Sequence, residues 1–378
     1  MKVLLVDQFG KTTGRDTLAL AQLINEYNDV DMQVYISDNT ELPIDRNYTF
    51  KIEKGFYKAY EGNAIQKGIH YLTALRKLKS YIKNNNIDVV HLQWFSLPWI
   101  EWIYVKNLAK KHKVVITVHD VVPFDNRPYE LQALNKIYSH SDRLLIHTQT
   151  SKKEFEQIYG IKDKISVITQ GFCLKSDYHR IEKVDAKKHF DIDSNTVVFL
   201  YYGTIRKSKG LDILMEAIEE AHRINKKIIL LAAGAFHKVD EEIYEKLKDK
   251  LGNEAARINF GFVPQEEEQW YFSAADVVCL PYLEVTQSGV AQLGLMYELP
   301  IIATDIGEMA DVCRDGENGI LIKENNKEQL VNAILEIAEN DDFRSKASEK
   351  SKYMGEVDFS LKTKAKKVYE AYHELQNG

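Results

Sequence analysis

At 378 residues, with 44% hydrophobic and 28% charged residues, the chain exceeds one ordinary core and suits two soluble domains of normal size. A formal net charge of −6 argues against a dedicated nucleic-acid binder, whose domain is usually basic. Cys173, Cys279 and Cys313 are far apart and form no CxxC or Cys/His metal spacing, which predicts reduced thiols in a cytoplasmic protein.

Met1 runs straight into an apolar strand with no signal-peptide pattern. No apolar run approaches the roughly 20 residues needed to span a bilayer, so any membrane contact is expected to be peripheral, on the inner face. The first strand, Val3–Val6, ends at Asp7 and leads into Gln8-Phe9-Gly10-Lys11-Thr12-Thr13-Gly14-Arg15. A helix follows, with Leu18, Ala21, Leu23 and Ile24 on one side. Gly10 and Gly14 suit either a turn that glycine permits or the close approach of a ligand. The spacing matches neither GxGxxG nor the P-loop.

Residues 39–68 are aromatic, mixed in charge and poorly periodic, and are expected to form a variable excursion before a helix from about Lys67 to Asn84. A strand at Asp88–Leu92 delivers His91, Gln93 and Trp94 to its carboxyl end, where ligands of open α/β sheets bind. His91 reads as a satisfied core histidine. The run from Trp94 to Trp102 is a packing stripe or an acceptor platform, with Trp102 assigned to packing and Trp94 to the acceptor. The strand Val114–Val118 delivers His119 and Asp120 to the mouth of a cleft, which makes His119 a catalytic candidate. Asp120 either meets the acceptor or caps the following turn. Helix Glu130–Ser139, strand Arg143–His147, helix Ser151–Tyr159 and strand Ile165–Ile168 complete the first domain, and the boundary falls in the polar connection Thr169–Asn195.

The second domain opens with the strand Val197–Tyr202 and the loop Gly203-Thr204-Ile205-Arg206-Lys207-Ser208-Lys209-Gly210. Glycine lets a ligand approach the backbone, the Arg206 fork and the compact Lys209 charge suit a diphosphate, and the helix Leu211–His222 follows. Placement between a buried strand and a helix favours a ligand site over a merely solvated charged loop. Next come Ile228–Ala232 with Ala233-Gly234-Ala235, then Gly261-Phe262-Val263-Pro264 before the helix Glu266–Ala274. Two short apolar runs, Val277–Leu280 and Ile301–Ala303, flank a helix from about Gly289 to Tyr297, the pattern of a buried βαβ unit. Its strand-to-helix turn, Thr286-Gln287-Ser288-Gly289, is suited to a phosphate. From Asn326 the chain is helical and charged, ending in Leu361–Leu375. There Lys362, Lys364, Lys366 and Lys367 read as a solvated face in preference to one touching an anionic membrane.

The run ADVVCLPY…QSG…ELPIIATDIGEM, with DGENGILI at Asp315–Ile322, YYGTIRKSKGLDILMEAI at Tyr201–Ile218 and NFGFVP at Asn259–Pro264, resembles the donor-binding half of the family 4 (group 1) retaining glycosyltransferases. That resemblance implies an α/β protein of the GT-B fold, two Rossmann-like domains facing across a cleft. Residues 1–172 are then the acceptor-side domain and 173–359 the donor-binding domain, with the helix at 360–378 returning to the first. It implies transfer of a sugar from a UDP-sugar or GDP-sugar to a glycan or lipid-linked acceptor, with retention and no metal or other cofactor, as in surface polysaccharide assembly. It also implies that His119 lies beside the donor sugar, that Gly203, Arg206 and Lys209 meet the diphosphate, that Phe262 and Val263 meet the base, and that Gly10 and Gly14 face the cleft.

Two departures stand out. Relatives commonly carry Arg directly after the first glycine, where this chain has Thr204, so Arg206 is expected to substitute. Many relatives also carry Glu-x7-Glu, whereas some have a QSG form like the one here, which makes the departure a subfamily character. Here Glu284 is followed eight residues later by Gln292, and counting back from Pro300 puts Val285 and Leu293 at those places. The ribose carboxylate is absent by either count. Glu284 stays a candidate for the sugar, and Gln287, Ser288 and Gly289 become the phosphate contacts. The D-x-D runs Asp29-Val30-Asp31 and Asp191-Ile192-Asp193 both sit at turns and follow no buried strand. The alternative readings are a degenerate GT-B protein that binds nucleotide or a partner without turnover, and a sugar-nucleotide epimerase. A nicotinamide dehydrogenase would need a glycine fingerprint that both leading strands lack.

Overall fold

The computed structural model describes residues 1–10, 13–40, 47–59, 61–122, 128–171, 180–285 and 288–376. The chain divides into two compact units, Met1–Cys173 with Ser360–Gly378, and Leu174–Phe359.

The first unit is built on a seven-stranded sheet of β1 (Lys2–Asp7), β2 (Asp31–Ser37), β3 (Lys51–Gly55), β4 (Val89–Leu92), β5 (Lys113–Val118), β6 (Arg143–Ile146) and β7 (Ile165–Val167). Their spatial order is β3-β2-β1-β4-β5-β6-β7, and all pairs are parallel. Helices α1 (Gly14–Ile24), α2 (Ala64–Asn84), α3 (Pro98–Leu108), α4 (Pro128–Ser139) and α5 (Gln149–Tyr159) fill the connections. The steps β3 to β4 and β4 to β5 run the same way across the sheet, so right-handed crossovers put α2 and α3 on one face and α1 on the other. Central strands read as continuous apolar runs because both faces are covered. In β1 and β5 every residue but the first is buried.

Two strands of this sheet carry no clear sequence signal. Gln33 and Ser37 interrupt β2 yet are buried, and β3 (KIEKG) is a charged edge strand, the composition that keeps an edge from pairing with other chains. Helix α2 begins three residues earlier than its apolar period suggests, because Asn63 and Gln66 form a capping box. The Asn63 side chain accepts from the Gln66 amide at 3.0 Å, and the Gln66 side chain accepts from the Asn63 amide at 3.0 Å.

The second unit carries a six-stranded parallel sheet of β8 (Val197–Tyr202), β9 (Ile228–Ala233), β10 (Ala256–Asn259), β11 (Val277–Leu280), β12 (Ile301–Thr304) and β13 (Gly319–Ile322), in the order β10-β9-β8-β11-β12-β13. Its helices are α6 (Lys183–His189), α7 (Leu211–Ile224), α8 (Glu241–Ala255), α9 (Gln265–Ala274), α10 (Gly289–Met296), α11 (Met309–Val312), α12 (Lys327–Glu339) and α13 (Asp341–Tyr353). Two apolar clusters cover the sheet's two faces, one under α7 and α12, the other under α9 and α10. Helix α6 occupies part of the stretch expected to be an open connection. Helix α14 (Leu361–Glu374) then returns to the first unit and packs on α1.

In each sheet the strand order reverses once, between β1 and β4 and between β8 and β11. Loops leaving the carboxyl ends of those strands diverge and leave a crevice, the place where open α/β sheets take ligands.

Candidate active site

In the first unit the reversal point is organised by buried polar groups. The Asp7 carboxylate, at the end of β1, accepts from the Phe9 and Gly10 amides at 3.1 and 3.2 Å and from the Thr13 and Thr17 hydroxyls at about 2.7 Å, which ties the loop after β1 to α1. Gly10 has a φ of +65°, and a Cβ there would lie 2.3 Å from the Thr40 Oγ1. Gly14 likewise packs on Thr40, so both glycines have a packing reason to be glycine.

His91, on β4, is fully buried; Nδ1 pairs with the Tyr372 hydroxyl at 2.6 Å and Nε2 with the Thr117 hydroxyl at 2.7 Å. Burial first, and the nearby Lys364 charge second, push its pKa down to about 3. It is a satisfied core histidine. Gln93, two residues on, bridges outward: its amide nitrogen is 3.3 Å from His91 Nε2 and its carbonyl oxygen 2.9 Å from His119 Nε2. His119 stands just past β5 with its ring stacked on Trp94, centroids 3.9 Å apart and planes 8° from parallel. Its Nδ1 is 3.4 Å from Nε2 of His147, which lies just past β6. His119 keeps part of its area open to solvent, yet the protein packed around it lowers its pKa well below the ordinary value. Its histidine and Lys364 neighbours add to that effect. His147 is held at about 3, again mainly by burial.

The remaining candidates of this unit fall nearby. Trp94 gives one face to His119 and sits 5.4 Å from the Phe9 ring, leaving less of it for an acceptor than the sequence alone suggests. Asp120 is partly buried, and burial raises its carboxyl above the ordinary value. The following Val121 carbonyl accepts from the Tyr159 hydroxyl at 2.8 Å. Trp102 packs in the core, as expected, with Lys136 over its ring.

Lys364 corrects the reading of α14 as a solvated lysine face. Its ammonium donates to the Gln170 carbonyl at 3.0 Å, and burial lowers its pKa to about 8 against the raising effect of Asp16. The signal was available, since Lys364 falls three residues after Leu361 and four before Val368, both buried. His147 was the other residue whose part in this cluster the sequence did not single out, while Gln93 was placed at the strand's carboxyl end without a role.

In the second unit the loops after β8 and β11 are stitched together. Leu283 and Glu284 amides donate to the Ser208 carbonyl at 2.8 and 3.3 Å. Gly210 (φ +64°) is packed so closely that a Cβ would lie 2.0 Å from the Pro281 oxygen, so no other residue fits there. Between these loops the Lys209 ammonium lies 3.6 Å from the centroid of the Tyr282 ring. Burial, and secondarily the charge of Arg206, lower Lys209 to about 8. The Tyr282 hydroxyl is 3.3 Å from the Ser288 hydroxyl, and Ser288 caps α10 by accepting from the Ala291 amide at 3.3 Å. That leaves the Gly289 and Val290 amides without intrahelical partners at the start of α10. Gly203 is beside them, its Cβ direction 3.7 Å from Val290.

Arg206 is exposed on the same loop. Phe262 is 82% exposed, after β10, while Val263 packs against the core. Glu284 is exposed and Val285 and Leu293 pack on the core, so no carboxylate replaces the missing pair at those two positions. Gln292 is buried on α10, and its Oε1 has no hydrogen-bond partner among the described residues. Gln287 lies outside the described residues, as does Pro123 after the His119–Asp120 pair.

Two family models cover most of this framework: Glycosyltransferase Family 4 over residues 36–175 and Glycosyl transferases group 1 over residues 182–354. The chain belongs to the family 4, group 1 glycosyltransferases. An uncharacterized glycosyltransferase of Methanocaldococcus jannaschii is 23% identical over 381 residues, covering 100% of this chain and 99% of its own. The fold is GT-B, as in sucrose-phosphate synthase from Thermosynechococcus elongatus (TM-score 0.75, 14% identity, 100% of this chain and 99% of the other). Anabaena HepE, solved with UDP, is similar too (TM-score 0.73, 14% identity, 99% of this chain and 100% of the other). No helix among the described residues of this glycosyltransferase is long and apolar enough to cross a membrane.

Proposed function

We propose that this glycosyltransferase takes its sugar from a nucleoside-diphosphate sugar bound in the second unit and attaches it, with retention, to a hydroxyl of a glycan or lipid-linked acceptor. The observation that carries the reading is the cradle at the β8/β11 reversal, where Lys209, Arg206 and the Ser288-capped start of α10 converge. A diphosphate leaving group gathers negative charge as its bond to the sugar breaks. Cations and fixed amides that cost no reorganisation stabilise that charge where it forms. Gly203 gives the backbone room, and Phe262 offers an exposed ring to the base. The UDP held by the structurally similar Anabaena protein supports this donor class.

The step needs no protein nucleophile. The acceptor oxygen bonds to the anomeric carbon on the face that the leaving oxygen vacates, and the acceptor proton passes to the departing diphosphate. In this reading His119 is a neutral, oriented group beside the sugar and not a general base. Burial holds its pKa too low to collect a proton near neutral pH, and Gln93 and His147 fix its ring. No metal takes part.

The test is a thermal-shift panel of UDP, GDP, ADP and NAD on the intact chain and on the Arg206→Ala/Lys209→Ala double variant. A rise in midpoint with one nucleoside diphosphate, lost in the double variant, supports the cradle and selects the donor sugars to assay in EDTA. No rise with any of them sinks the assignment.

A further inference from the structure

The histidine cluster around His119 rests at both ends on one helix, α14. At one end the fully buried Tyr372 hydroxyl lies 2.6 Å from His91 Nδ1, its only hydrogen-bond partner among the described residues. From there the contacts run through His91 Nε2, the Gln93 amide, the two ring nitrogens of His119 and His147 to the Thr169 carbonyl, 3.4 Å from His147 Nδ1. At this other end the segment that carries Thr169 is clamped to the first turn of α14. The Lys364 ammonium donates to the Gln170 carbonyl at 3.0 Å. Gly171, with a φ of +44°, packs so closely there that a Cβ would lie 2.8 Å from the Lys364 Cβ.

Counting protons along these contacts gives them one direction. A carbonyl oxygen only accepts, so His147 meets Thr169 with a proton on Nδ1. A neutral imidazole has one N–H, so His147 Nε2 is bare and accepts from His119 Nδ1, which leaves His119 Nε2 bare and in need of a donor. The count from the other end agrees. The Tyr372 hydroxyl donates to His91 Nδ1, so His91 carries its own proton on Nε2, shared between the Thr117 hydroxyl at 2.7 Å and the Gln93 amide. Both counts turn the Gln93 oxygen toward His91 and its nitrogen toward His119, a half-turn of the amide from the placement given above. That half-turn exchanges the two ends of an amide without changing its shape, and the hydrogen-bond network decides between them. The opposite direction leaves the Tyr372 proton without an acceptor among the described residues. It also leaves Thr169 facing a bare nitrogen unless His147 takes a second proton, which burial and the Lys364 charge oppose.

We propose that α14 positions His119: the Tyr372 hydroxyl, relayed by His91 and Gln93, fixes the His119 proton on Nδ1, and the Thr169 segment clamped by Lys364 receives the far end. Which nitrogen of a histidine carries the proton is set by the bond its other nitrogen makes, and here both bonds trace back to one helix. Tyr372 and Lys364 are positioning residues that reach His119 only through other groups. Gln93 and His147 hold its two nitrogens and Trp94 covers a face. A half-turn of the ring would put carbons where those two partners meet nitrogens, so the ring is locked in one orientation. The importance of that lock for transfer rests on the reading that His119 stands beside the donor sugar. The tautomer itself does not.

The experiment is nitrogen NMR of the histidine rings in the intact protein near neutral pH, with the His119 signals identified by their loss in His119→Ala. Protonated and bare ring nitrogens resonate far apart, so the tautomer is read directly. The expected spectrum has His119 protonated on Nδ1 and bare on Nε2. Tyr372→Phe removes only the hydroxyl and should shift His119 toward a form protonated on Nε2. Gln93→Glu, whose carboxylate only accepts, should put the proton on Nε2 as well. Tyr369→Phe, on the same helix but bonded to Asp29, should leave the His119 signals unchanged. Retention of the thermal midpoint confirms that each variant folds. An Nε2 proton on His119 in the unaltered protein overturns the proposal, as does an Nε2 that stays bare in Tyr372→Phe or Gln93→Glu. With the donor sugar that the nucleotide panel selects, Tyr372→Phe should slow release of the nucleoside diphosphate by up to roughly 100-fold, the cost of a misplaced group, and keep the nucleotide-induced thermal shift. Full turnover with a moved proton overturns the positioning role. The ring spectra need no donor, so failure of the donor reading shows in the nucleotide panel and is told apart from failure here.

Discussion

The two sheet edges use the same topology for opposite electrostatics. At the β1/β4 reversal the histidines are packed so that their charge is suppressed: His91, His119 and His147 are all held far below the ordinary histidine range. At the β8/β11 reversal Arg206 stays exposed to solvent, and Lys209 is only partly shielded and rests on an aromatic ring. The comparison teaches what an edge of this kind is for. On the function proposed above, a fixed set of neutral hydrogen-bonding rings positions a substrate, whereas cations beside the start of α10 answer to a charge that appears during reaction.

The sharpest break of this contrast is at His119. His119→Ala removes the oriented ring from the neutral edge and leaves the cationic edge intact. Transfer is therefore expected to fall roughly 10²–10³-fold while the nucleotide-induced thermal shift persists, the size seen when one positioned polar group is lost from an active site. Loss of nucleotide binding in this variant would contradict the division between the edges.

The second break is on the other side. Charge-assisted bonds to a phosphate contribute about 1.5–3 kcal/mol each, so Arg206→Ala/Lys209→Ala is expected to weaken nucleoside diphosphate binding by at least about 100-fold. The shielding of Lys209 adds a pH signature. Only its ammonium form binds the anion, and in the free protein burial brings its pKa to about 8, so affinity should decline as pH rises past that point. Lys209→Arg keeps the charge at every accessible pH and should flatten the decline. Calorimetric titration between neutral and alkaline pH checks both outcomes; a decline of equal steepness in the Arg variant would assign it to another group.

How much of this was legible in the sequence follows from what each residue's role depends on. The βαβ units with continuous apolar strands, and the glycine and hydroxyl residues after β8 and β11, announce themselves because period, burial and turn chemistry are local. The positive φ of Gly210 belongs to that class, but its contact with Pro281 does not, since it joins the loop after β8 to the loop after β11. Nor does Lys364. Its part depends on α14 returning across most of the chain to pack near Gln170, and only its register with Leu361 and Val368 hinted at it. The exposed apolar residues of α2, Ile65, Ile69 and Leu72, escaped for a different reason: the sequence placed a helix there without fixing its face, and the core face is Leu75, Leu78 and Ile82. The edge strand β3 was hidden by its own charges.

The finest test concerns Glu101, which extends the neutral edge inward. Its carboxylate accepts from the Leu97 amide at 2.7 Å, and the Tyr71 hydroxyl lies 2.5 Å from one of its oxygens and 2.6 Å from the Gln8 carbonyl oxygen. One phenolic proton cannot serve both acceptors. A proton on Glu101 resolves this, because Glu101 then donates to Tyr71 and Tyr71 donates to Gln8. Burial, only partly offset by these hydrogen bonds, raises the Glu101 pKa from 4.5 to about 7. The sign follows: a carboxyl whose folded pKa is raised favours the folded state fully below its unfolded value and loses that contribution as pH climbs through the folded one. Stability should therefore decline between about pH 4.5 and 7 on account of this group, by at most about 1.4 kcal/mol per pH unit. The buried histidines slope the opposite way over part of that window, since each must be protonated on unfolding below its ordinary value. Glu101→Gln should remove the carboxyl's share alone, because an amide can donate to Tyr71 and accept from Leu97 without titrating. Denaturant titrations of both proteins at several pH values isolate the difference, and parallel curves would place the ionised carboxylate, not the acid, in the folded protein.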